Sequence, residues 1–164
     1  MQYKIEDGFP YYIELAGDSD YVQLFKAKAY QTVLADLTEA QSTYRYASGK
    51  WSIKQVIGHM TDHERILIYR ALRFSRNDHT PLPGYDQDVL VDHSRFDDIP
   101  LTELLEDLEN VRNASLSFIR LLSPEQLQRY GQADKYEFTV ADYLRATIGH
   151  EIHHLEVLKL KYLR

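Results

Sequence analysis

Seven histidines stand out in a chain that has no cysteine. Five of them, His59, His63, His150, His153 and His154, fall on two segments with helical patterning, and His79 and His93 lie between those segments. Residues four apart on an α-helix are separated by about 40° around the axis. His59 and His63 therefore share one helix face, and so do His150 and His154. Two imidazoles set this way can chelate one divalent metal ion. A single pair is commonly a solvated or structural feature, but two pairs on two helices of one small chain are harder to dismiss. Tyr143, Ala146 and Val157 share the angular sector of His150, so that pair lies on a partly apolar side that can face inward. Val56, Ile66 and Phe74 bracket His59 in the same way. His63 lies nearer Arg70 and suits solvent equally well. His153 is turned about 60° away from His150, which suits a structural or supporting position.

The string His150-Glu151-Ile152-His153-His154 matches H-E-x-x-H, the zinc-protease signature. Its surroundings argue against that chemistry. Leu160 stands where the extended pattern needs a histidine, little chain follows His154, and no sheet is expected beside it. Glu151 and His154 also make one E-x-x-H, whereas a di-iron bundle needs two such motifs and two more glutamates. With no cysteine, thiolate ligands and a protein thiol nucleophile are excluded. Glu151 is a candidate general base if it turns toward a metal, and otherwise a surface or supporting carboxylate. Asp62 and Arg65 read as an ordinary ion pair. Arg70, Arg73 and Arg76 form a basic stretch that suits solvent or an anionic substrate, solvent being the simpler reading.

The elements that must position these side chains are helical. A first helix is expected over about 20–41, preceded by an irregular arm containing Gly8, Pro10 and Gly17. Ser52 and Gln55 make a capping box that opens a second helix running to about Asn77, with Trp51 placed to staple against Val56 or Ile57. A long connection with Pro81, Pro83, Gly84 and Pro100 follows. A third helix is expected over 101–122, and a short one opens at Ser123-Pro124-Glu125-Gln126. Thr139 caps a final helix over 140–162, with Asp142 in its first turn. No strand is expected, so the fold class is all-α, a four-helix bundle. The 164 residues suggest one domain, 1–164. A formal net charge of −6 argues against a broad nucleic-acid surface. The N-terminal stretch lacks the pattern of a signal peptide and no apolar run is long enough for a membrane span, so a cytoplasmic protein is expected.

The segment Lys50-Trp51-Ser52-Ile53-Lys54-Gln55-Val56-Ile57-Gly58-His59 resembles the KWS…GH opening of the second helix in the DinB-like superfamily. Asp62-His63-Glu64-Arg65 is similar to its D-x-E-R continuation, and Arg70-Ala71-Leu72-Arg73-Phe74 and the loop Pro83-Gly84-Tyr85-Asp86-Gln87-Asp88 also fit. Gly149-His150-Glu151-Ile152-His153-His154 resembles its closing GHE-x-HH. The resemblance covers nearly the whole chain in order. It implies a bundle of up-down-down-up topology, often a homodimer, with metal ligands His59, His150 and His154. It also implies a small-molecule substrate and either metal-dependent hydrolysis or transfer of a low-molecular-weight thiol such as bacillithiol or mycothiol. His63 departs from the family's small or polar residue, as a fourth ligand or as a base beside the metal. Three neutral imidazoles leave an open coordination position on zinc or nickel, which can take water with its pKa lowered to about 7 or a thiolate. The alternative is a non-catalytic, stress-linked bundle with a structural or vestigial metal, which a closed fourth ligand would favour.

Overall fold

The computed structural model describes residues 1–163. Helix α1 (Phe9–Ala16) occupies the expected irregular arm. The residues that suggested irregularity are its boundaries: Gly8 caps it at φ 68°, Pro10 sits in its first turn, and Gly17 closes it at φ 60°. The helix expected over 20–41 is broken into α2 (Tyr21–Ala27), α3 (Ala29–Val33) and α4 (Glu39–Ser42). The first break is at Lys28, whose left-handed φ of 46° costs about 1 kcal/mol for a residue with a Cβ. Its ammonium offsets that cost by reaching Glu109 and, at 2.9 Å, Asn113.

Helix α5 (Ile53–Ser75) begins at the reciprocal capping box read from the sequence, Gln55 N–H to Ser52 Oγ at 3.1 Å and Ser52 N–H to Gln55 Oε1 at 3.0 Å. The long connection holds α6 (Gln87–Asp92) and a short 3-10 turn at Phe96–Asp98. Helices α7 (Leu101–Ile119) and α8 (Pro124–Gln128) follow, the second opened by the Ser123–Gln126 box. A hairpin then interrupts the all-helical expectation. Strands β1 (Tyr130–Ala133) and β2 (Tyr136–Thr139) pair antiparallel from Tyr130↔Thr139 to Ala133↔Tyr136. Its turn uses Asp134 at φ 54°, a conformation Asp tolerates, and Leu82 adds a parallel bridge to Ala133. Strands this short carry too little alternation to announce themselves by period. Helix α9 (Val140–Val157), capped by Thr139 Oγ1 on Asp142 N–H at 3.1 Å, continues into a π-helical turn at Leu158–Tyr162. Among the described residues no helix is long and apolar enough to cross a membrane.

The result is a four-helix bundle of α2–α3, α5, α7 and α9, with α1 laid along α9. Its apolar interior is divided into two clusters. One contains Phe25, Leu67, Phe74, Tyr143 and Leu144, and the other Ile53, Ile57, Leu104, Leu108, Leu155 and Leu158. Along each of α5, α7 and α9 the change from one cluster to the other falls at mid-helix. At that level the buried side chains are polar: His59, His63 and Glu64 on α5, Arg112 on α7, and His150 and Glu151 on α9. The bundle thus has a polar layer between two apolar halves.

Helix α1 reaches this layer because α9 carries Gly149 at the crossing, where a Cβ would stand 1.8 Å from the Tyr12 carbonyl oxygen. No flexible side-chain end is available to yield, since the obstacle is backbone. Gly149→Ala is expected to lower stability by about 1–3 kcal/mol or more by forcing α1 off α9. A urea-denaturation midpoint equal to that of the unaltered chain would contradict this close approach.

Candidate metal centre

One donor nitrogen each from His59, His150 and His154 lies within 4.8 Å of the other two. His150 Nε2 is 2.9 Å from His59 Nε2 and 3.0 Å from His154 Nε2. An imidazole nitrogen has a single in-plane position, either a lone pair or a hydrogen. His150 Nε2 therefore cannot form a good hydrogen bond with both neighbours at once. A cation accepting all three lone pairs removes that conflict. Zinc–imidazole bonds of about 2.0–2.1 Å in tetrahedral geometry put donor atoms about 3.3 Å apart, close to the spacing present. The donor set fits a divalent ion.

Burial keeps these rings neutral, as ligation requires. It holds His59 down at about 4, with His153 adding to the effect. Burial first, and neighbouring histidines second, hold His150 and His154 well below the ordinary imidazole value. Protons thus compete with a cation at His59 only well below the pH 6.5 typical of an exposed histidine.

His63 is brought to the site but not into the donor set. Its ring stacks on His150 with centroids 3.5 Å apart and planes 7° from parallel. In-plane lone pairs of two parallel rings at that separation do not converge on one ion. The fourth position is therefore not closed by His63, whose Nδ1 is buried without a hydrogen-bond partner. His153 sits outside, with its Nδ1 3.2 Å from the Tyr11 hydroxyl.

Aromatic side chains wall the centre. Trp51 lies against His59 with ring centroids 4.7 Å apart, which gives it a second contact beyond its apolar cluster. Tyr12 of α1 meets His150 edge-on at 5.1 Å. Two cavities flank the imidazoles. One of about 270 Å³ reaches His63 and His150 between Tyr12, Arg70 and Tyr85. The other, about 410 Å³, reaches His154 on the side of Trp51 and Tyr162. Tyr12 carries no signal of its own in the sequence, and Tyr85 enters only as part of the Pro83–Asp88 loop, with no site role attached. The only hints were an aromatic-rich helix behind Gly8-Phe9-Pro10 and a tyrosine in a proline-rich loop.

Glu151 has a different environment from that of a free base. Its carboxylate is buried and accepts from Arg112 Nη2, which also donates to Glu64 Oε2 at 2.8 Å. Arg112 Nε donates to both Glu64 oxygens at 3.1 and 3.2 Å, and Nη1 to the Phe25 carbonyl at 3.3 Å. The guanidinium is fully buried and stacked over Phe25 and Tyr30. Burial, partly opposed by Arg112, raises the Glu151 carboxyl above its ordinary range. Asp62 and Arg65 form the expected ion pair at 3.3 Å, extended to Asp107. Arg73 pairs with Asp78 near the surface, whereas Arg70 is buried rather than solvated.

Residues 26–158 match the family model of the DinB superfamily. The chain belongs to the DinB superfamily. The matched segment contains every member of the histidine donor set and begins after α1. A relative from Oceanobacillus iheyensis, named "Putative metal-dependent hydrolase OB0413", is 26% identical over 126 residues, covering 76% of this chain and 72% of that protein. Among solved structures, YfiT from Bacillus subtilis is similar with a TM-score of 0.69 and 17% identity, over 97% of this chain and 90% of that one. It is described as "a probable metal-dependent hydrolase with an unusual four-helix bundle topology". At that identity the likeness shows the four-helix fold alone.

Two outcomes follow from these environments. In metal-stripped protein the folded state resists protonating the buried histidines, while the unfolded chain takes up protons near pH 6.5. Their contribution is fully present above pH 6.5 and is lost as pH falls toward about 4, where His59 itself protonates. For His59 alone the loss is about 3 kcal/mol. Thermal unfolding of the metal-free protein at several pH values checks this, and a constant midpoint from pH 7 to 5 would contradict it. Arg112→Met leaves two carboxylates buried without their cation and is expected to cost about 3–5 kcal/mol. A chemical-denaturation curve unchanged by that substitution would contradict the bridge.

Proposed function

We propose that this chain binds one divalent cation through His59, His150 and His154 and hydrolyses a small molecule held in the cavity beside them. The observation that carries the reading is the convergence of three neutral imidazole nitrogens, from buried His59 and His150 and half-buried His154, next to a cavity, with no fourth ligand closing the set among the described residues. The hydrolase names of the relatives support it. Zinc or nickel suits a donor set made only of imidazole. When bound, the cation supplies Lewis acidity that polarises a scissile carbonyl and makes water nucleophilic at neutral pH.

The remaining work falls to the chain's own groups. His63 handles the proton: burial, with neighbouring His59 and the charge of Arg70 adding to it, holds the ring well below the ordinary value, so it starts neutral and passes on readily any proton it takes. Its unpartnered Nδ1 is the atom that can take it. The stack on His150 fixes the ring's orientation. Tyr12 and Trp51 limit water around the imidazoles. Glu151 is a positioning residue, because its carboxylate is held by Arg112.

Metal analysis of purified protein is expected to give about one equivalent of zinc or nickel, and alanine at His59, His150 or His154 should remove most of it. His63→Gln should keep the cation and lower the hydrolytic rate by about 10²–10⁴-fold, the usual contribution of a general base. Glu151→Gln should affect stability more than rate. Full cation occupancy in a His150→Ala/His154→Ala double variant would overturn the ligand assignment. Conjugation of a low-molecular-weight thiol without ester or amide hydrolysis would replace hydrolysis by thiol transfer.

A further inference from the structure

Arg70 and Arg112 are both buried, and they are compensated in opposite ways. Arg112 has two carboxylates. Arg70 is 4% exposed, yet among the described residues no carboxylate lies within 4.0 Å of its guanidinium. It is held by one hydrogen bond, from Nη2 to the Pro83 carbonyl at 2.9 Å, and by stacking over the Tyr85 ring at 5.5 Å. A guanidinium has five N–H donors and does not shed its proton in proteins. Its remaining donors are not sealed from solvent but open into the cavity it lines, where water completes them until a ligand takes its place.

The location supplies a reason to keep such a charge. Arg70 lines the same cavity of about 270 Å³ as His63 and His150. The acidic group nearest in the cavity wall is Asp134, which is exposed and therefore screened by water. The Pro83 carbonyl and Tyr85 fix the plane of the guanidinium, so its free edge presents a fork with fixed geometry. Such a fork matches a carboxylate bidentately.

We propose that Arg70 is the specificity-determining residue of the pocket and that the substrate is a small compound bearing a carboxylate, bound by this fork while its reacting group faces the histidines. This deepens the hydrolase reading and rests on it for the identity of the reacting end, but the carboxylate contact is tested separately. The fixed charge selects anions and orients them with one end at Arg70, and the cavity limits their size. The loop from Pro83 to Tyr85 acts as the support for the fork, so its sequence sets specificity without touching the reacting atoms.

The probes are butyrate and its neutral isostere butyramide, titrated into metal-loaded protein and followed by the side-chain NMR signals of Arg70 Nε–H and the His63 ring. Butyrate is expected to shift both and to bind about 10–100-fold more tightly than butyramide. Arg70→Gln should erase that preference while leaving cation content unchanged. Arg70→Lys keeps the charge but loses the fork, and should retain only part of it. Equal binding of the two probes by the unaltered protein, no saturable binding of butyrate, or an intact preference in Arg70→Gln would each overturn the assignment. The last result would mean that the carboxylate binds the cation directly. Cation content on the same samples reports on the metal reading independently, so normal content without a carboxylate preference removes the Arg70 assignment alone.

Discussion

The site depends on the buried bridge that Arg112 makes between Glu64 and Glu151. These three residues come from α7, α5 and α9, the helices that meet at the middle of the bundle. Glu64 follows His63 directly, and Glu151 follows His150. Fixing the two carboxylates on one planar guanidinium therefore fixes the axial register and rotation of α5 against α9. That register brings His59 within 2.9 Å of His150. The pairing is not a general source of stability, since a buried ion pair often does no better than apolar packing. Its value is specificity: sliding either helix by one turn would bury an unpaired charge.

The same argument explains the division of the core. An uninterrupted apolar interior would stabilise a bundle in several registers with similar energy. Here two apolar clusters lie on either side of one polar layer, and the layer can be satisfied in only one arrangement. Desolvation in that layer then acts on function. It holds the imidazoles neutral and leaves His63 Nδ1 without a partner, while Arg70 beside the layer keeps its charge against desolvation, with no carboxylate counter-ion among the described residues. Each of these unfinished interactions faces the site, where a cation or a substrate can complete it.

Much of this was legible in the sequence where the governing physics is local. The Ser52/Gln55 and Ser123/Gln126 capping boxes and the Thr139 cap mark helix starts within a residue, because each is a contact over three positions. The spacing of His150 and His154 gives a shared face by geometry alone. Interactions between distant residues left no such mark. Arg112 meets partners 48 and 39 positions away, and nothing near it in the chain distinguishes it from a surface arginine. Arg70 looked solvated for the same reason. Gly8, Pro10 and Gly17 were informative but ambiguous, since the residues that bound a short helix also make irregular loops. The break at Lys28 escaped notice because the residue is a good helix former and leaves the helix for tertiary partners. Glu151 sits in a suggestive motif, but motif position does not tell which way a carboxylate turns.

The most direct test of the account is the coordination sphere of the loaded cation. X-ray absorption spectroscopy on zinc- or nickel-reconstituted protein reports the donor type and distance without requiring a known substrate. The account predicts three imidazole nitrogens at about 2.0–2.1 Å for zinc, completed by exchangeable solvent oxygen. A sphere made mainly of carboxylate oxygens, or four imidazoles with His63 as the fourth, would contradict it.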